Sequence, residues 1–459
     1  VGDAGFWASM HRYLADHAYG DVDTEDLRRA CEAATGQSLG WFFDEWAYSG
    51  GYPSFAVSDS YDPSAKTVSV TIAETQKEDP VTQTLAVYRM PVDIEIMTDS
   101  GDTTQRVEIT QAQQTLVLPC KSEPRDVIFD PKGWLLKTVD FSKGRSELIW
   151  QLLHAGDVGP RLDAIEGFAD NKDQPAVETA LATALETDTS PAVRAACALA
   201  LAGMTVGSPE SELLTEGRME ADISVREAIV RALGSYSDAP AKAEVALALT
   251  DPHYGLQEAA IDAAQAQKDT ALLPAIRMVI ASSNTDSAYD PVRAAAVRVL
   301  LARPGPQQLA DARRYTGADQ PRVIRMAAIR SLSTIGPGNR AVTAFLVHLL
   351  SDPSPLVRRV AVASLADRKD PGALAALNAL AADPHTDARL KDAATAAVQA
   401  IEGSKAPSTG PDTGDMRKQI ENLQQEVDRL TKEDAALKAQ VDSFSKAGAT
   451  PSSETPPAH

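Results

Sequence analysis

The first fifty residues carry apolar side chains at the spacing of α-helices. Apolar residues three or four positions apart lie on one face of a helix, and glycine commonly ends a helix. The pattern predicts a helix through His17, a second helix with Thr24 as its N-cap that ends at Gly36, and a third that ends at Gly50. The apolar positions are Phe6, Met10, Tyr13, Leu14, His17, Leu27, Ala30, Cys31, Ala34, Leu39, Phe42, Phe43 and Trp46.

From Pro53 the apolar period changes to two. Alternation of apolar and polar residues indicates strands that bury one face, and turn-rich spacers such as residues 98–103 separate the runs. Six or seven short strands of this kind predict a small antiparallel β-sandwich over residues 53–141. Its inward positions are Val68, Val70, Ile72, Val92, Ile94, Ile96, Val107, Ile109, Leu116, Leu118, Val127 and Phe129.

After Phe141 alanine becomes abundant and one short segment recurs. Its copies begin at residues 160, 193, 225, 256, 292, 324, 357 and 390. A repeat of about 33 residues indicates a helix pair that cannot bury its apolar face alone, so neighbouring pairs must stack. Residues 142–402 are therefore predicted to form an α-α superhelix of HEAT-like repeats. Turns with Pro or Asp precede each second helix.

The C-terminal residues fall into three stretches. Residues 403–414 are a Gly/Pro/Ser linker, residues 415–445 carry an apolar heptad that predicts a short coiled coil, and residues 446–459 are predicted to be disordered. The coiled coil predicts self-association through 415–445. Together the patterns predict a multidomain α+β chain, with the helical residues 1–52 first, then the sandwich, the repeats and the coiled coil.

Charge and hydropathy exclude two kinds of partner. The chain has 64 acidic and 44 basic side chains, a net charge of −20, which repels phosphate backbones and argues against nucleic acid. No run of about eighteen apolar residues occurs, so no membrane span is predicted. The sequence opens at Val1 directly inside an amphipathic pattern, and we interpret it as part of a longer protein.

The three cysteines are too far apart to form a metal-binding or redox motif. Cys31, Cys120 and Cys197 form no C-x-x-C pair, and free cysteine commonly packs as a small apolar residue. We predict buried thiols. The low cysteine content fits a reducing compartment, so the cytoplasm is slightly favoured, while a periplasmic or secreted location stays open.

The sequence shows no complete active site. None of the seven histidines belongs to an H-E-x-x-H motif, and the spacing of six between His11 and His17 places them on different helix faces. A G-x-S-x-G elbow, a Walker A loop and a dinucleotide-binding G-x-G-x-x-G are also missing. We therefore predict no catalytic, metal-binding or cofactor-binding residue in this chain.

An arginine recurs at the second position of six repeat segments. It could form a stripe that grips carboxylates of a ligand, or a ladder in which each arginine binds an acid or carbonyl of a neighbouring repeat. The ladder is preferred because buried arginine persists when it is paired. The arginines are Arg161, Arg194, Arg226, Arg293, Arg325 and Arg358, and the candidate acids are Asp188, Asp222, Asp290, Asp319 and Asp352.

Several spaced motifs occupy the first 140 residues in a fixed order. They are Phe6 with Tyr13, the helix start Val22-Asp23-Thr24-Glu25-Asp26-Leu27, Gly36, the run Trp41-Phe42-Phe43-Asp44-Glu45-Trp46, the turn Gly51-Tyr52-Pro53, and Asp130, Pro131 and Leu136 near the end of the strand-rich region. In this order they resemble the end of the catalytic domain and the small β-sandwich of the aminopeptidase N family of zinc metallopeptidases.

The resemblance implies a zinc-dependent parent protein that acts on peptides. In that family the zinc motif, the third zinc-ligand glutamate, the Gly-x-Met-x-Asn segment and the catalytic tyrosine precede the matched region, so no family catalytic residue carries over to this chain. The family also has a C-terminal helical region that limits substrate entry, a role residues 142–402 could fill. These repeats are more regular, however, and closer to the HEAT-like repeats of bilin-lyase-type proteins.

Three hypotheses for function follow from these patterns. The first makes this chain the C-terminal non-catalytic portion of a zinc aminopeptidase-like metallopeptidase, whose repeats gate substrate access or bind a protein partner. The second makes the parent a catalytically dead scaffold that acts through its repeats. The third treats the repeats as an interaction module that merely adjoins a peptidase.

Overall fold

A computed structural model describes residues 1–268, 270–282, 284, 286–303, 307–335 and 338–403. The described chain is mixed α+β and divides into two compact units, Val1–Leu300 and Leu301–His459. The predicted coiled coil 415–445, nearly all of the linker before it and the tail after it lie outside the described residues. Across the part that is described, no helix combines the length and the apolar character that crossing a membrane requires.

Three helical segments begin the chain. They are α1 at Gly2–Asp16, α2 at Thr24–Thr35 and α3 at Gly40–Phe43, and α3 continues as a π-helical turn over Asp44–Tyr48. Helix α2 ends at Gly36, whose φ of +70° lies in the left-handed region that glycine adopts without strain.

The N-cap of α2 differs from the prediction by one residue. Asp23, not Thr24, is the cap: its carboxylate accepts the N–H of Asp26 at 3.0 Å, and the Asp26 carboxylate accepts the N–H of Asp23 at 3.0 Å. This reciprocal capping box satisfies two N–H groups at once, which explains why the aspartate is preferred to the adjacent threonine.

Seven strands form two facing sheets among the described residues. One sheet has the order β5-β2-β1-β7 and the other β4-β3-β6. All neighbours are antiparallel except β1 and β7, which pair in parallel. The strands are β1 Ser54–Asp62, β2 Thr67–Glu74, β3 Met90–Thr98, β4 Thr103–Ile109, β5 Gln113–Pro119, β6 Pro124–Phe129 and β7 Thr138–Asp140.

The alternating pattern places the core between the two sheets. Val68, Val70 and Ile72 of β2 are buried in the same cluster as Ile94 and Ile96 of β3, while the residues between them face outward or are half-buried. The predicted period of two is therefore confirmed in these strands. Burial of branched side chains from both sheets supplies most of the stabilisation of such a sandwich.

Sixteen further helices follow in the described residues, arranged as successive pairs. We call the even-numbered helix of each pair, from α4 to α18, the first helix and the odd-numbered helix that follows it, from α5 to α19, the second helix. The helices are α4 Arg145–His154, α5 Val158–Gly167, α6 Pro175–Thr187, α7 Pro191–Leu201, α8 Pro209–Met219, α9 Ile223–Leu233, α10 Ala239–Ala248, α11 Tyr254–Ala266, α12 Leu273–Ala281, α13 Asp290–Leu301, α14 Gln308–Thr316, α15 Arg322–Ser333, α16 Arg340–His348, α17 Pro355–Arg368, α18 Leu374–Ala382 and α19 Ala388–Gly403.

Second helices of neighbouring pairs pack side by side. In the first unit α7 lies against α9, and α9 against α11; in the second unit α15 lies against α17, and α17 against α19. The first apolar residue of each repeated segment is buried, as are alanines such as Ala198 and Ala328. Small side chains at these positions let the helices approach closely, so the pattern that predicted stacked pairs also explains their packing.

Candidate functional site

The recurring arginine binds the turn that precedes its own helix. Arg194, at the start of α7, donates from Nη1 to the carbonyl of Asp188 at 2.8 Å. The bond satisfies a carbonyl at the end of α6 that has no partner within that helix. The equivalent bonds join Arg161 to Ala155 (2.9 Å), Arg293 to Ser282, Arg325 to Thr316 (2.8 Å) and Arg358 to Asp352 (2.9 Å).

The same guanidinium also reaches a carboxylate in the next repeat. Nε of Arg194 donates to Glu220 at 2.8 Å, and the N–H of Asp222 donates to the same carboxylate at 2.8 Å. The hydrogen bond from Arg194 lowers the pKa of Glu220, so the pair stays ionised. The equivalent pairs are Arg161 with Asp188 (3.0 Å), Arg226 with Asp251 (3.2 Å) and Arg325 with Asp352.

Of the predicted acids, Asp188 and Asp352 pair with an arginine of the preceding repeat, Asp290 pairs with Arg293 of its own helix, and Asp222 and Asp319 have other partners. Glu220 takes the place predicted for Asp222, because Glu220 directly follows its helix as Asp188 does, whereas Asp222 is the N-cap of α9 and accepts the N–H of Ser224 at 2.9 Å. Asp290 faces Arg293 on its own helix at 3.6 Å, and Asp319 accepts from Gln320 at 2.9 Å.

Two of the eight repeat segments have no arginine at the ladder position, which holds Gln257 in one and Lys391 in the other. Nε2 of Gln257 donates to the carbonyl of Asp251 at 2.6 Å, and its Oε1 accepts from the hydroxyl of Tyr289 at 3.0 Å. An amide therefore makes the same bond to its own turn without a charge. Because these side chains are committed to turns of the protein itself, the contacts favour the ladder interpretation over a stripe that grips a ligand.

No metal centre is formed by the described residues. Within those ranges no three His, Cys, Asp or Glu side chains come together in a way that would hold a metal ion. Cys120 and Cys197 are buried, and burial raises the pKa of the Cys197 thiol to about 12, so it is not a reactive thiolate at neutral pH. Cys31 is half-buried.

The helical residues before the sandwich expose a large apolar surface. Trp7 and Leu14 of α1 are each 68% exposed, and Phe6 is 46% exposed. We call this surface the N-terminal apolar face; its other exposed members are Val1, Tyr19, Val22, Phe42, Tyr48 and Tyr52. Scattered apolar residues are common on protein surfaces, but this concentration within 52 residues is typical of a surface that another domain covers.

The end of the helical segment that precedes the sandwich is held to it by a compact set of contacts. The ring of Trp46 lies 5.6 Å from that of Tyr88, and the N–H of Arg89 donates to the Glu45 carboxylate at 2.7 Å. The Tyr88 hydroxyl donates to the carbonyl of Gly50 at 2.6 Å. These contacts fix the last helical turn on the sandwich.

A buried ion pair connects the sandwich to the first repeat. Lys143, just before α4, contacts Asp126 of β6 and Gln151 of α4, each at 2.5 Å. Gln151 in turn donates to the carbonyl of Pro160 in α5 at 2.6 Å. Burial raises the pKa of Asp126 to about 6 although Lys143 opposes that shift. This set of contacts ties β6, α4 and α5 together.

A cavity of about 310 Å³ lies among α8, α9, α10 and α11. Its walls are mainly apolar, and Arg226, Glu244 and Asp251 are its charged lining residues. Gly217 of α8 lines this cavity, and a Cβ at Gly217 would lie 3.0 Å from Cγ2 of Ile229. In the preceding repeat the position of Gly217 holds the larger Leu185 and that of Ile229 the smaller Cys197.

Comparison with known proteins identifies one family along part of the chain. Residues 336–399 match the family model of HEAT repeats. A comparison with curated proteins finds no match. The match covers the helices from α16 into α19.

Two solved structures show distant likenesses. Legionella pneumophila aminopeptidase A, solved in complex with aspartic acid, is 12% identical with a TM-score of 0.48, over 89% of this chain and 53% of that one. The present chain thus spans about half of that aminopeptidase. The Escherichia coli protein YibA is 16% identical with a TM-score of 0.37, over 57% of this chain and 93% of that one.

Two of these features leave no signal in the local sequence pattern, and a third leaves one. The burial of Asp126 and Lys143 depends on how α4 packs on β6, and no local pattern encodes that. The exposure of Trp7 and Leu14 was missed because a helical period shows which residues share a face and not whether anything covers them. The pairing of Gly217 with Ile229 was visible in principle, since both depart from the residue that the aligned repeats carry.

Proposed function

We propose that this chain is the non-catalytic C-terminal portion of a zinc aminopeptidase-like metallopeptidase, and that its HEAT-like repeats bind a protein partner or control substrate entry. The ordered motifs from Phe6 to Pro53 support the first part of this proposal by resemblance. The HEAT match over residues 336–399 supports the second, because HEAT repeats commonly serve as protein-interaction modules.

The observation that carries the proposal is the N-terminal apolar face. If this helical segment were a complete folded unit, Trp7 and Leu14 would be buried in it, yet both are 68% exposed. Exposing this surface to water is unfavourable by roughly 25 cal/mol for each Å² that a neighbouring domain would bury. The end of a catalytic domain, packed against the rest of that domain, would have this property.

The parts of this chain have supporting roles under the proposal. Zinc bound by the preceding part of the parent would supply a Lewis acid and an activated water for peptide hydrolysis. The sandwich holds the last helical turn through Trp46 and Glu45, and the Lys143–Asp126 pair fixes the first repeat on the sandwich. The arginine ladder then stiffens the repeats that follow.

The decisive test is the coding sequence upstream of Val1. The proposal expects an H-E-x-x-H motif and a downstream glutamate there, and the polypeptide that includes them should release p-nitroaniline from an aminoacyl anilide in a zinc-dependent manner. An upstream sequence without these zinc ligands would contradict the proposal that the parent protein is a peptidase. For the present chain alone we expect no stoichiometric zinc and no hydrolysis; metal-dependent turnover by the purified chain would contradict the proposed division of roles.

A second candidate is a catalytically dead scaffold that acts through its repeats. The regular spacing of the ladder, from Arg161 to Arg358, favours it because such regularity is typical of binding modules. The same upstream sequence separates the two: a peptidase fold that lacks the zinc ligands would support the scaffold.

A further inference from the structure

We propose that α15 and α17 carry a binding surface for an acidic segment of a partner protein, formed by Arg322, Arg330 and Arg359. We call these three side chains the arginine patch. The inference rests on the proposed function of the repeats as a protein-binding module and names the chemistry of the partner.

The two units differ in the sign of their charge. Residues 1–300 contain 24 basic and 46 acidic side chains, whereas residues 301–403 contain 13 basic and 9 acidic side chains. Residues 301–403, the described part of the second unit, are therefore basic within an acidic protein. A charge asymmetry of this kind along one chain indicates a local interaction surface, since it serves no general need for solubility.

The helical register places the arginine patch on the outward side of its helices. Arg322, Met326 and Arg330 are spaced by four residues along α15; the two arginines are exposed and the methionine is half-buried. On the opposite side of α15, Ile324, Ala328 and Leu332 are buried, so the patch is not part of the core.

Arg359 extends the patch onto the neighbouring helix. It is exposed on α17, which lies against α15, and it takes the position in its repeat that Met326 takes in α15. The adjacent ladder arginines Arg325 and Arg358 are different in kind, because they turn inward and bind Thr316 and Asp352.

The arginine patch lacks the acids that accompany an equivalent residue elsewhere. Arg231 of α9 occupies the repeat position of Arg330, and it has Glu227 at 3.8 Å and Asp262 at 3.7 Å. Within residues 301–335 and 338–403, apart from the undescribed 304–306, no carboxylate lies within ion-pair distance of the patch. Like charges left uncompensated on one surface repel each other until an anion binds.

Packing does not require an arginine at the repeat position that Arg330 occupies. Leu199 and Ala363 occupy the place of Arg330 in other repeats, so the repeat tolerates an apolar or a small residue there. Among the described residues the charge of Arg330 therefore has no ion-pair partner, and the packing of the repeat does not require it. Together with the excess of basic residues in this unit, this points to recognition of an external ligand.

The chemistry of the patch favours carboxylates carried by a protein. A guanidinium forms two parallel hydrogen bonds to one carboxylate, and the flexible side chain of Met326 offers an apolar contact between the arginines. A long polyanion such as nucleic acid would also be repelled by the negative charge of the first unit. That repulsion extends about a Debye length from the surface of the unit. A short acidic segment avoids that repulsion.

The test uses the full chain and a fluorescein-labelled twelve-residue peptide with six Glu, five Ala and one central Leu. Fluorescence anisotropy at low salt should show saturable binding, and the matched peptide with Gln in place of Glu should not bind. We expect the double variant Arg330→Glu/Arg359→Glu to weaken binding at least tenfold. The control Arg231→Glu, at the matched repeat position in the first unit, should leave the affinity within twofold of the parent chain.

Each other outcome overturns the proposal. Equal binding of the Glu and Gln peptides, or equal loss in the Arg231 control, would show that the patch does not recognise carboxylates. Tighter binding of a twelve-base-pair DNA duplex would show a general polyanion surface. Circular dichroism shows whether the Arg330→Glu/Arg359→Glu variant still melts cooperatively. If it does not, the Arg330→Gln/Arg359→Gln variant is tested in its place, and its affinity for the Glu peptide should also fall at least tenfold. The upstream-sequence test of the proposed function is independent of these results.

Discussion

At the scale of single residues, the ion pair of Lys143 and Asp126 is more deeply buried than the ladder pair of Arg194 and Glu220. The side chains of Lys143 and Asp126 are 9% and 0% exposed, and they join β6 to the start of the helical repeats. The second carboxylate oxygen of Asp126 is buried without a hydrogen bond from the described residues. A carboxylate in that position depends strongly on its one cation.

We expect Lys143→Met to lower the free energy of unfolding by about 3 kcal/mol at pH 7.5, because it leaves a buried carboxylate unpaired. The folded-state pKa of Asp126 is already about 6 and will rise further without the lysine. Since that pKa lies above the value in the unfolded chain, the carboxyl is protonated in the folded variant at pH 5, and the loss should be smaller there. Urea denaturation at both pH values measures the difference.

The control for this experiment is Arg125→Met. Arg125 pairs with Asp99 in the same region, but the side chains are 54% and 57% exposed. Exposed ion pairs contribute about 0–1 kcal/mol, so this variant should change stability little at either pH. An equal loss in both variants, or a loss from Lys143→Met that does not depend on pH, would contradict the role assigned to Asp126.

At the scale of elements, the arginine ladder makes neighbouring repeats depend on one another. Five of the six arginines donate to a turn carbonyl behind them and four pair with a carboxylate ahead of them. Arg161, Arg194 and Arg325 do both, so in each case one side chain fixes the spacing of two helix pairs. Helix pairs in repeat proteins gain much of their stability from such interfaces. The ladder therefore complements the apolar contacts between second helices.

We expect Arg194→Met to lower the free energy of unfolding by about 2 kcal/mol, because the largely buried Glu220 loses its cation and the carbonyl of Asp188 loses its donor. Chemical denaturation of the full chain measures this loss. The matched control is Arg218→Met, which removes a pair with Glu244 in which the arginine is 65% exposed. Similar losses in the two variants would show that the ladder contributes no more than a surface pair.

At the scale of the whole molecule, apolar exposure and charge are unevenly distributed. The N-terminal apolar face lies within the acidic first unit, and the arginine patch lies in the basic second unit. Within the described part of the chain, the apolar side chains of the first surface are exposed and the arginines of the second have no ion pair. They give the protein two chemically different regions for contact, one apolar and one cationic.

We expect the double variant Trp7→Glu/Leu14→Glu to reduce the fluorescence of bound anilinonaphthalene sulfonate at least twofold, because the dye binds exposed apolar surface. The melting temperature should change little, since both side chains are 68% exposed. Met278→Glu, at a residue of α12 that is 72% exposed, is the matched control and should leave the fluorescence unchanged. Unchanged fluorescence in the double variant would mean that the N-terminal apolar face is not an accessible dye-binding surface.

Local patterns predicted the elements well and the partners of individual side chains poorly. The alternation of Val68, Val70 and Ile72 encodes a strand because burial on one face of a sheet has a period of two. The acid that reaches Arg194 could not be chosen between Glu220 and Asp222 from sequence, since the choice depends on where α8 ends to within one residue. Exposure of Trp7 depends on what lies next to α1, which no periodicity within the helix records.

The matched sizes of Gly217 and Ile229 have a consequence for how this array can change by recombination. Repeat arrays grow and shrink when DNA encoding one unit is copied or exchanged for another. A copy of the neighbouring first helix placed before α9 would bring the bulk of Leu185 against Ile229, where even a Cβ would lie 3.0 Å from Cγ2. We therefore expect α8 and α9 to be exchangeable only together, because neither fits the partner helix of the preceding pair.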